Sequence, residues 1–487
     1  MNEEIRKIEP QKVWNNFTNL NAIPRPSGQV QEAREFLLNF GQSLGLKTIE
    51  DSTGNVIIKK PATAGMENRK TVVLQGHFDM VAQKNSDVEH DFKTEGIKMV
   101  IDGDWVRAKG TTLGADNGLG VAAIMAVLES DDLKHPALEA LFTYDEETGM
   151  DGAINLDHDV LEGDILLNLD TEEDDEIDIG CAGGVDVTGI KSYTAEDLKD
   201  NMAGFSLKIS GLQGGHSGMD IHKGFGNANK LINRVLYAVL QKTDLQIAEI
   251  DGGGLRNAIP RESALQFITD FSDVKVVKEA VREEIKAIKE EYKAIEPQIK
   301  FGFEQQELLP AKVLSVLDSK VLIQTVYAIP NGVYRMSPDI EDLVETSNNL
   351  ARVAVKDGKI QLMCLTRSSV DSGKWDLVNQ LRSIFALGGF KVTTEADYPG
   401  WQPNPDSAIL KVLEKTYIDQ NGTEPDVVAC HAGLECGILL SHYPNLDAIS
   451  FGPTIRGAHS PDERAGIKST QKFWRLLVEV LENIPVK

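Results

Sequence analysis

Short apolar runs rich in β-branched residues recur along the chain, and most are followed directly by polar residues. Runs of this length predict strands buried on both faces, as in a parallel sheet. Between them, apolar residues recur at helical spacing, as in Ala33, Leu37 and Phe40, and predict helices that bury one face. The alternation predicts an α/β domain with a mostly parallel sheet flanked by helices. The strands expected in this domain are residues 48–59, 71–74, 138–144, 164–170, 426–429 and 446–451.

The pattern changes near Val185, where strands begin to alternate with charged, two-sided helices. This texture is typical of an α+β domain. A proline-rich stretch from Tyr398 to Pro405 marks the return to the first pattern. A chain of 487 residues is in any case too long for one compact core. We therefore expect residues 1–184 and 399–487 to form one domain, with residues 185–398 inserted into it as a second.

The charge balance narrows the classes of partner. Lys and Arg number 50 against 75 Asp and Glu, so the formal net charge is −25. Such a surface repels phosphate backbones and anionic lipids, which argues against nucleic-acid and membrane partners. The N-terminal residues lack the apolar core of a signal peptide, and no apolar run approaches the ~18 residues of a spanning helix. The four cysteines form no CxxC pair, so we expect reduced thiols and a cytoplasmic protein.

Histidine and acidic residues stand where predicted strands end or a predicted helix begins. We expect Gly76 to end its strand, so that His77 emerges at the edge where open α/β sheets keep their sites. Asp79 can then hold one ring nitrogen of His77 while the other nitrogen faces a cation. Taken singly, the His-x-Asp motif is more often a polar turn, and Asp116 fits a simple helix N-cap. The candidate metal ligands are His77, Asp116, Glu147, Asp170 and His459.

Two imidazoles and three carboxylates form a ligand set that suits zinc, with manganese or cobalt as alternatives. Five ligands are too many for one tetrahedral catalytic ion with an open position, but they fit two ions that share one carboxylate. Glu146, beside Glu147 but pointing elsewhere, is then free to act as general base on a water activated by metal. The acidic run at residues 172–176 is expected to be a solvated loop whose acids compete with Asp170 for the ligand role.

Several motifs in the chain recur together in one known family. These motifs are His77-Phe78-Asp79, Gly114-Ala115-Asp116, Asp145-Glu146-Glu147-Thr148-Gly149, Asp170, Gly214-Gly215-His216-Ser217-Gly218 and Ala458-His459-Ser460-Pro461. Together they resemble the co-catalytic di-zinc exopeptidases of the aminoacylase/glutamate carboxypeptidase type, above all the bacterial aminoacyl-histidine (Xaa-His) dipeptidase branch. The resemblance covers essentially the whole chain. It implies hydrolysis of Xaa-His and other L-dipeptides by a catalytic domain that carries an inserted lid and dimerisation domain.

The resemblance also implies a distribution of the ligands over two zinc ions. Asp116 would bridge the ions. His77 and Asp170 would complete one ion, and Glu147 and His459 would complete the other.

The same resemblance implies roles for residues that do not bind metal. Asp79 would orient a ligand histidine, and Glu146 would carry a proton from water to the leaving amine. In the lid, His216 would steady the oxyanion, Arg367 would clamp the terminal carboxylate of the substrate, and Asn257 would contact the substrate. Because the lid histidine of relatives can come from the partner subunit, a homodimer is expected.

Two features depart from the wider family pattern. Asn117 follows the bridging aspartate where many relatives carry another acid, and residues 431–437 replace a different glycine-rich loop. His431 in that loop fits either a substrate contact or a packing role. Two rival functions remain: a deacylase or carboxypeptidase acting on N-acyl amino acids with the same metals, and a metal-binding protein without catalysis. The histidines expected to be exposed and without a role are His90, His135, His158, His222 and His442.

Overall fold

The computed structural model describes residues 2–338 and 340–487 and divides into two compact units. The first, the α/β unit, comprises Met1–Gly180, Trp401–Ala429 and Leu434–Lys487. The second, the inserted unit, comprises Cys181–Gly400 and Cys430–Gly433. By packing, Cys430–Gly433 therefore belongs to the inserted unit, although the sequence places it in the last segment of the first domain.

The α/β unit is built on a mixed sheet whose central strands are parallel. Leu138–Thr143, Val72–His77, Ile165–Asn168 and Asp447–Ser450 pair in parallel, in that order. Because the first three are buried along their whole length, they need apolar side chains on both faces. This arrangement confirms the predicted α/β class. The full strand order is Lys47–Glu50, Val56–Lys60, Leu138–Thr143, Val72–His77, Ile165–Asn168, Asp447–Ser450, Glu176–Cys181, Asp426–Cys430.

Helices flank this sheet, and one of them is almost entirely buried. In Ala115–Leu128, every residue except Asp116 is buried, and the helix contacts strand Val72–His77. The remaining helices of the unit are Gln11–Leu20, Gln31–Ser43, Glu146–Gly149, Asp151–Ile154, Ala408–Asn421, Glu435–His442 and Ile467–Glu482, with a 3-10 turn at Ile5–Lys7. A smaller antiparallel sheet has the strand order Ile455–Arg456, Arg464–Gly466, Trp105–Ala108, Met99–Asp102.

The inserted unit is an antiparallel sheet with helices, which confirms the predicted α+β class. Its strand order is Lys300–Gln306, Met202–Ser210, Ser263–Asp270, Gln246–Gly253, Val344–Lys356, Lys359–Ser368, Gly183–Ser192, Lys391–Tyr398, and Gly332–Met336 pairs with Val344–Lys356. Its helices are Ala228–Leu240, Val274–Tyr292, Val316–Ala328 and Asp371–Leu387, with 3-10 turns at Ile221–Lys223 and Phe271–Asp273. A two-stranded pair joins Glu196–Asp197 to Lys312–Val313. Phe205, Val235 and Val281 belong to the core that joins helices to sheet.

The expectation that Gly76 ends its strand is wrong. The parallel ladder continues through Gly76, which pairs with Phe142, to His77, which pairs with Thr143. A Cβ atom on Gly76 would lie 2.3 Å from Asn117 Oδ1. Glycine therefore serves the close approach of the following helix to the strand, and His77 is still the last residue of the strand.

Two other expectations about surface residues are wrong. His90 and His135 are buried: the ring of His90 packs edge-on against Phe92 with ring centroids 4.5 Å apart, and His135 Nδ1 lies 2.8 Å from the carbonyl oxygen of Pro136. Two acids of the run at residues 172–176 form ion pairs rather than being simply solvated. Glu173 pairs with Arg456, and Lys472 Nζ lies 2.7 Å from Asp174 Oδ1.

In the part of the chain that the structure describes, no helix combines the length and apolar character needed to cross a bilayer.

Candidate metal centre

The candidate ligands gather at one edge of the central sheet. His77 ends its strand, Glu147 follows strand Leu138–Thr143, and Asp170 follows strand Ile165–Asn168. Because these strands are parallel, their carboxyl ends meet at the same edge. Asp116 joins them from the start of helix Ala115–Leu128, and His459 from the loop after strand Ile455–Arg456.

Asp116 lies between the two histidines. Its Oδ1 atom is 3.2 Å from His77 Nε2, and its Oδ2 atom is 3.2 Å from His459 Nε2. On the first side, Asp170 Oδ1 lies 3.5 Å from His77 Nε2. On the second side, Glu147 Oε2 lies 2.8 Å from His459 Nε2. The five candidate ligand residues thus form two three-residue groups that share Asp116, and within each group the donor atoms lie within 4.8 Å of one another.

Glu146 stands beside this cluster without joining either of these two groups. Its Oε2 atom is 4.0 Å from His77 Nε2, and a third group of closely spaced donors contains Glu146 with His77 and Glu147. Burial raises the pKa of Glu146 well above its ordinary value, and the nearby Asp170 raises it further. A carboxyl group with this tuning is suited to accept and release a proton near neutral pH.

Asp79 connects His77 to the acidic loop. Its Oδ1 atom lies 3.3 Å from His77 Nδ1, and it accepts the backbone N–H of Glu146 at 3.2 Å. Its Oδ2 atom accepts a hydrogen bond of 2.7 Å from Ser27 Oγ. Burial alone would raise the pKa of Asp79, but the hydrogen bond with His77 outweighs it and lowers the pKa. Asp79 is therefore placed to fix the ring orientation of His77.

The charges and unpaired oxygen atoms of the cluster favour the binding of cations. Hydrogen bonds to Asp116 and Glu147 raise the pKa of His459 to about 11. Burial opposes charge on His77, but Asp170 and Asp116 outweigh it and raise the pKa of His77 well above its ordinary value. Within residues 2–338 and 340–487, Glu147 Oε1 and Asp170 Oδ1 are buried without a hydrogen-bond partner. The cluster thus holds surplus negative charge and free oxygen atoms, which a pair of divalent cations would satisfy.

Several buried residues that support the cluster were not singled out from the sequence. Glu435 accepts hydrogen bonds from Gln75 Nε2 at 2.6 Å and from Thr143 Oγ1 at 2.7 Å. Burial raises the pKa of Glu435 to about 7. Arg25 Nη1 donates to the carbonyl oxygen of Asp79 at 2.8 Å. No local pattern marks such residues, because Glu435 lies 360 positions from Gln75.

In the inserted unit, the tautomer of His216 is defined by its neighbours. His216 Nδ1 accepts the backbone N–H groups of Gly218 at 3.3 Å and Met219 at 3.1 Å. Its proton therefore resides on Nε2, which is left as a donor. Burial, and secondly Arg367, lowers the pKa of His216 to about 4, so the ring is neutral at pH 7. The exposed Asn257 adjoins this loop, since its carbonyl oxygen accepts the N–H of Ser217 at 2.8 Å.

Arg367 is a buried cation that lacks an acidic partner. Its side chain donates from Nη1 to Tyr398 Oη at 2.8 Å. Among the described residues, its Nε atom has no hydrogen-bond partner and its guanidinium group forms no ion pair. Because a buried guanidinium is costly without a counter-charge, Arg367 fits the recognition of an anionic group such as a carboxylate.

His431 engages one ring nitrogen within the inserted unit. His431 Nε2 lies 2.7 Å from Ser347 Oγ, whereas Nδ1 has no hydrogen-bond partner among the residues that the structure describes. Burial, and secondly Arg367, lowers the pKa of His431 to about 3. The ring is neutral at pH 7, which suits a substrate contact as well as packing, so both roles stay predictions.

Comparison with known proteins points to one family. The family model described as "Peptidase family M20/M25/M40" matches residues 73–483. The "Cytosol non-specific dipeptidase" of Escherichia coli (strain K12) is 42% identical over 485 residues, which are 99% of this chain and 100% of that protein.

Solved structures agree with this comparison. The aminoacylhistidine dipeptidase from Vibrio alginolyticus superposes with a TM-score of 0.94 at 43% identity, covering 100% of this chain and 99% of that chain. An aminopeptidase from Bacillus cereus ATCC 10987 shares the fold at a TM-score of 0.57 and 16% identity, covering 98% of this chain and 99% of the other. The matches at 42% and 43% identity confirm the resemblance to the aminoacyl-histidine dipeptidase branch.

Proposed function

Because this chain belongs to peptidase family M20/M25/M40, we propose that it is a metal-dependent dipeptidase that hydrolyses L-dipeptides, including those with a C-terminal histidine. The names of the two relatives that are 42% and 43% identical over nearly the full length support this substrate class. A dipeptide is small and carries both a free α-amine and a terminal carboxylate. The enzyme that cleaves it must recognise both ends.

The observation that supports the proposal most strongly is the position of Asp116 between two histidines. Its two carboxylate oxygens each lie 3.2 Å from a different imidazole nitrogen, one on His77 and one on His459. A carboxylate with this geometry can bridge two cations. We assign His77 and Asp170 to one ion, and Glu147 and His459 to the other.

The metal chemistry follows from the ligand set. Nitrogen and carboxylate ligands suit zinc, with manganese or cobalt as alternatives. When bound, a pair of such ions supplies Lewis-acid activation of water and of the peptide carbonyl. Asp79 keeps the ring of His77 oriented, since its Oδ1 atom lies 3.3 Å from Nδ1.

Glu146 carries the proton in this proposal. Its carboxylate, 4.0 Å from His77 Nε2, takes a proton from the attacking water and delivers it to the leaving amine. The burial that raises the pKa of Glu146 prepares the group for both halves of this transfer, because an ordinary glutamate would release the proton too readily.

The inserted unit supplies substrate contacts. His216 offers an Nε2–H donor on a neutral ring, which suits the negative oxygen that develops on the carbonyl. Arg367, which has no acidic partner among the described residues, binds the terminal carboxylate of the dipeptide, and its planar fork fits that group. Asn257, adjoining the His216 loop, contacts the substrate, and His431 is a further candidate contact.

A matched set of substrates tests the function against its rivals. With zinc supplied, alanyl-histidine is expected to be hydrolysed. Its N-acetylated form is expected to lose at least about tenfold in kcat/KM, because the free α-amine is not available. Its C-terminal amide is expected to raise KM, because Arg367 then lacks a carboxylate to bind. Preference for the N-acetylated form would instead identify a deacylase, and turnover of none of the three would favour a non-catalytic metal-binding protein.

We also propose that the protein is a homodimer in which the partner subunit supplies His216 to the active site. Mixing the inactive variants Glu146→Ala and His216→Ala is then expected to restore measurable activity, because one mixed site retains both residues. The separate variants measured at the same total concentration are the control. Absence of any recovery after subunit exchange would contradict this arrangement.

The cytoplasm is the proposed location, with no membrane or nucleic-acid partner. It is supported by the name of the relative from Escherichia coli and by the net charge of −25. Cell fractionation is the measurement, and recovery of the protein with the membranes would contradict it.

A further inference from the structure

A glutamate outside the ligand set holds the loop that carries Asp116. Glu463 is 2% exposed, and its carboxylate accepts a series of backbone N–H groups from that loop. Oε2 accepts from Leu113 at 2.6 Å and from Gly114 at 2.9 Å. Oε1 accepts from Ala115 at 2.7 Å and, more weakly, from Asp116 at 3.4 Å. Both oxygens of Glu463 are therefore used on the residues that lead into the bridging ligand.

Glu463 also lies on the segment that carries His459. A short turn joins the two residues, because the N–H of Ser460 donates to Gly457 at 3.2 Å and the N–H of Glu463 donates to Ser460 at 3.1 Å. Strand Arg464–Gly466 begins immediately afterwards and pairs with Trp105–Ala108. The carboxylate thus fastens the His459 segment to the Asp116 loop.

The opposite side of the Asp116 loop is held by Arg25. Its Nη2 atom donates to the carbonyl oxygen of Gly114 at 2.5 Å. Gly114 has a φ of +69°, and a Cβ atom there would lie 2.5 Å from Arg25 Nη2. The buried carboxylate of Glu463 accepts the N–H groups of this loop, and the buried guanidinium of Arg25 donates to its carbonyl oxygen at Gly114. The two charged groups therefore hold the backbone of the loop from both sides.

We propose that Glu463 is a positioning residue that sets the spacing between Asp116 and His459, and so the metal affinity of the site formed by Asp116, Glu147 and His459. The inference rests on the proposed function, which assigns an ion to that site. His77 ends one strand of the central sheet and Asp170 follows another, whereas the hydrogen bonds of the Glu463 carboxylate go to the loop at residues 113–116. Because Asp116 is assigned to both ions, we expect a loss at both, and the larger loss at the ion that His459 also binds.

Zinc titration of Glu463→Gln tests the proposal, because the amide has the same shape but turns an –NH₂ group toward backbone donors. Removal of a residue that orients a ligand typically weakens metal binding by about 10–100-fold. We expect a loss of that size for the zinc ion assigned to Asp116, Glu147 and His459 and a clearly smaller loss for the other ion, with excess zinc restoring activity. The matched control is Asp462→Asn, which alters an exposed neighbouring acid and is expected to bind both ions like the wild type.

Two results would overturn the proposal: wild-type affinity for both equivalents in Glu463→Gln, or an equal loss at both, which indicates general damage to the fold. If this variant does not fold, Glu463→Asp replaces it, because it keeps the charge but withdraws the carboxylate by one methylene. Wild-type affinity of Glu463→Asp for the zinc ion assigned to Asp116, Glu147 and His459 would equally overturn the proposal. A wild-type protein that binds fewer than two zinc ions would contradict the proposed function itself, so the two failures are distinguishable.

Discussion

Glu146→Gln is expected to lower kcat for dipeptide hydrolysis by about 10²–10⁴-fold while both metal ions stay bound. The amide has nearly the same size as the carboxylate but cannot accept a proton from water. Since Glu146 belongs to neither of the two groups that share Asp116, the assigned ligands are unchanged. Steady-state kinetics and elemental analysis of the same preparation measure the two effects together.

Asp145→Asn is the control for this variant. Asp145 is the adjacent acid, but its Oδ1 atom accepts the N–H of Gly28 at 2.6 Å and can do so equally as an amide. We expect near wild-type turnover from the control. Normal turnover of Glu146→Gln with zinc bound would remove Glu146 from its proposed role, and loss of one zinc ion would make it a ligand instead.

Asp116→Asn is expected to weaken both metal ions together and to reduce activity by about 10³-fold or more. The substitution removes the negative charge between His77 and His459 and leaves one oxygen where two are needed. The contrasting variant is Asp170→Asn, which is expected to weaken only the ion that it shares with His77.

Zinc content after dialysis separates the two variants. The expected result is little zinc in Asp116→Asn and about one equivalent in Asp170→Asn, because only the first residue serves both ions. One equivalent retained by Asp116→Asn would show that this carboxylate belongs to a single ion.

The sequence was most informative where apolar runs end in polar residues. The runs at 71–74, 138–144 and 164–170 correspond to parallel strands, and the acids and the histidine that follow them meet at one edge. The strands could be predicted because hydrophobic periodicity is a local property of the sequence. The meeting of the polar residues could be predicted because the carboxyl ends of parallel strands share an edge.

Elements and contacts that depend on distant parts of the chain could not be predicted. Helix Val316–Ala328 has no clear two-sided pattern in the sequence, because its apolar residues Leu317 and Tyr327 are 69% and 49% exposed. The bond from Gly114 to Glu463 spans 349 positions, so nothing around either residue indicates it. Support of a site by buried charges is a property of packing, which one sequence does not display.

Anomalous diffraction at the zinc absorption edge, from crystals of the wild-type protein grown with zinc, shows directly whether Asp116 joins two ions. Two zinc peaks are expected, both in contact with Asp116, with His77 and Asp170 on one ion and Glu147 and His459 on the other. A single peak, or two peaks that Asp116 does not join, would contradict this expectation.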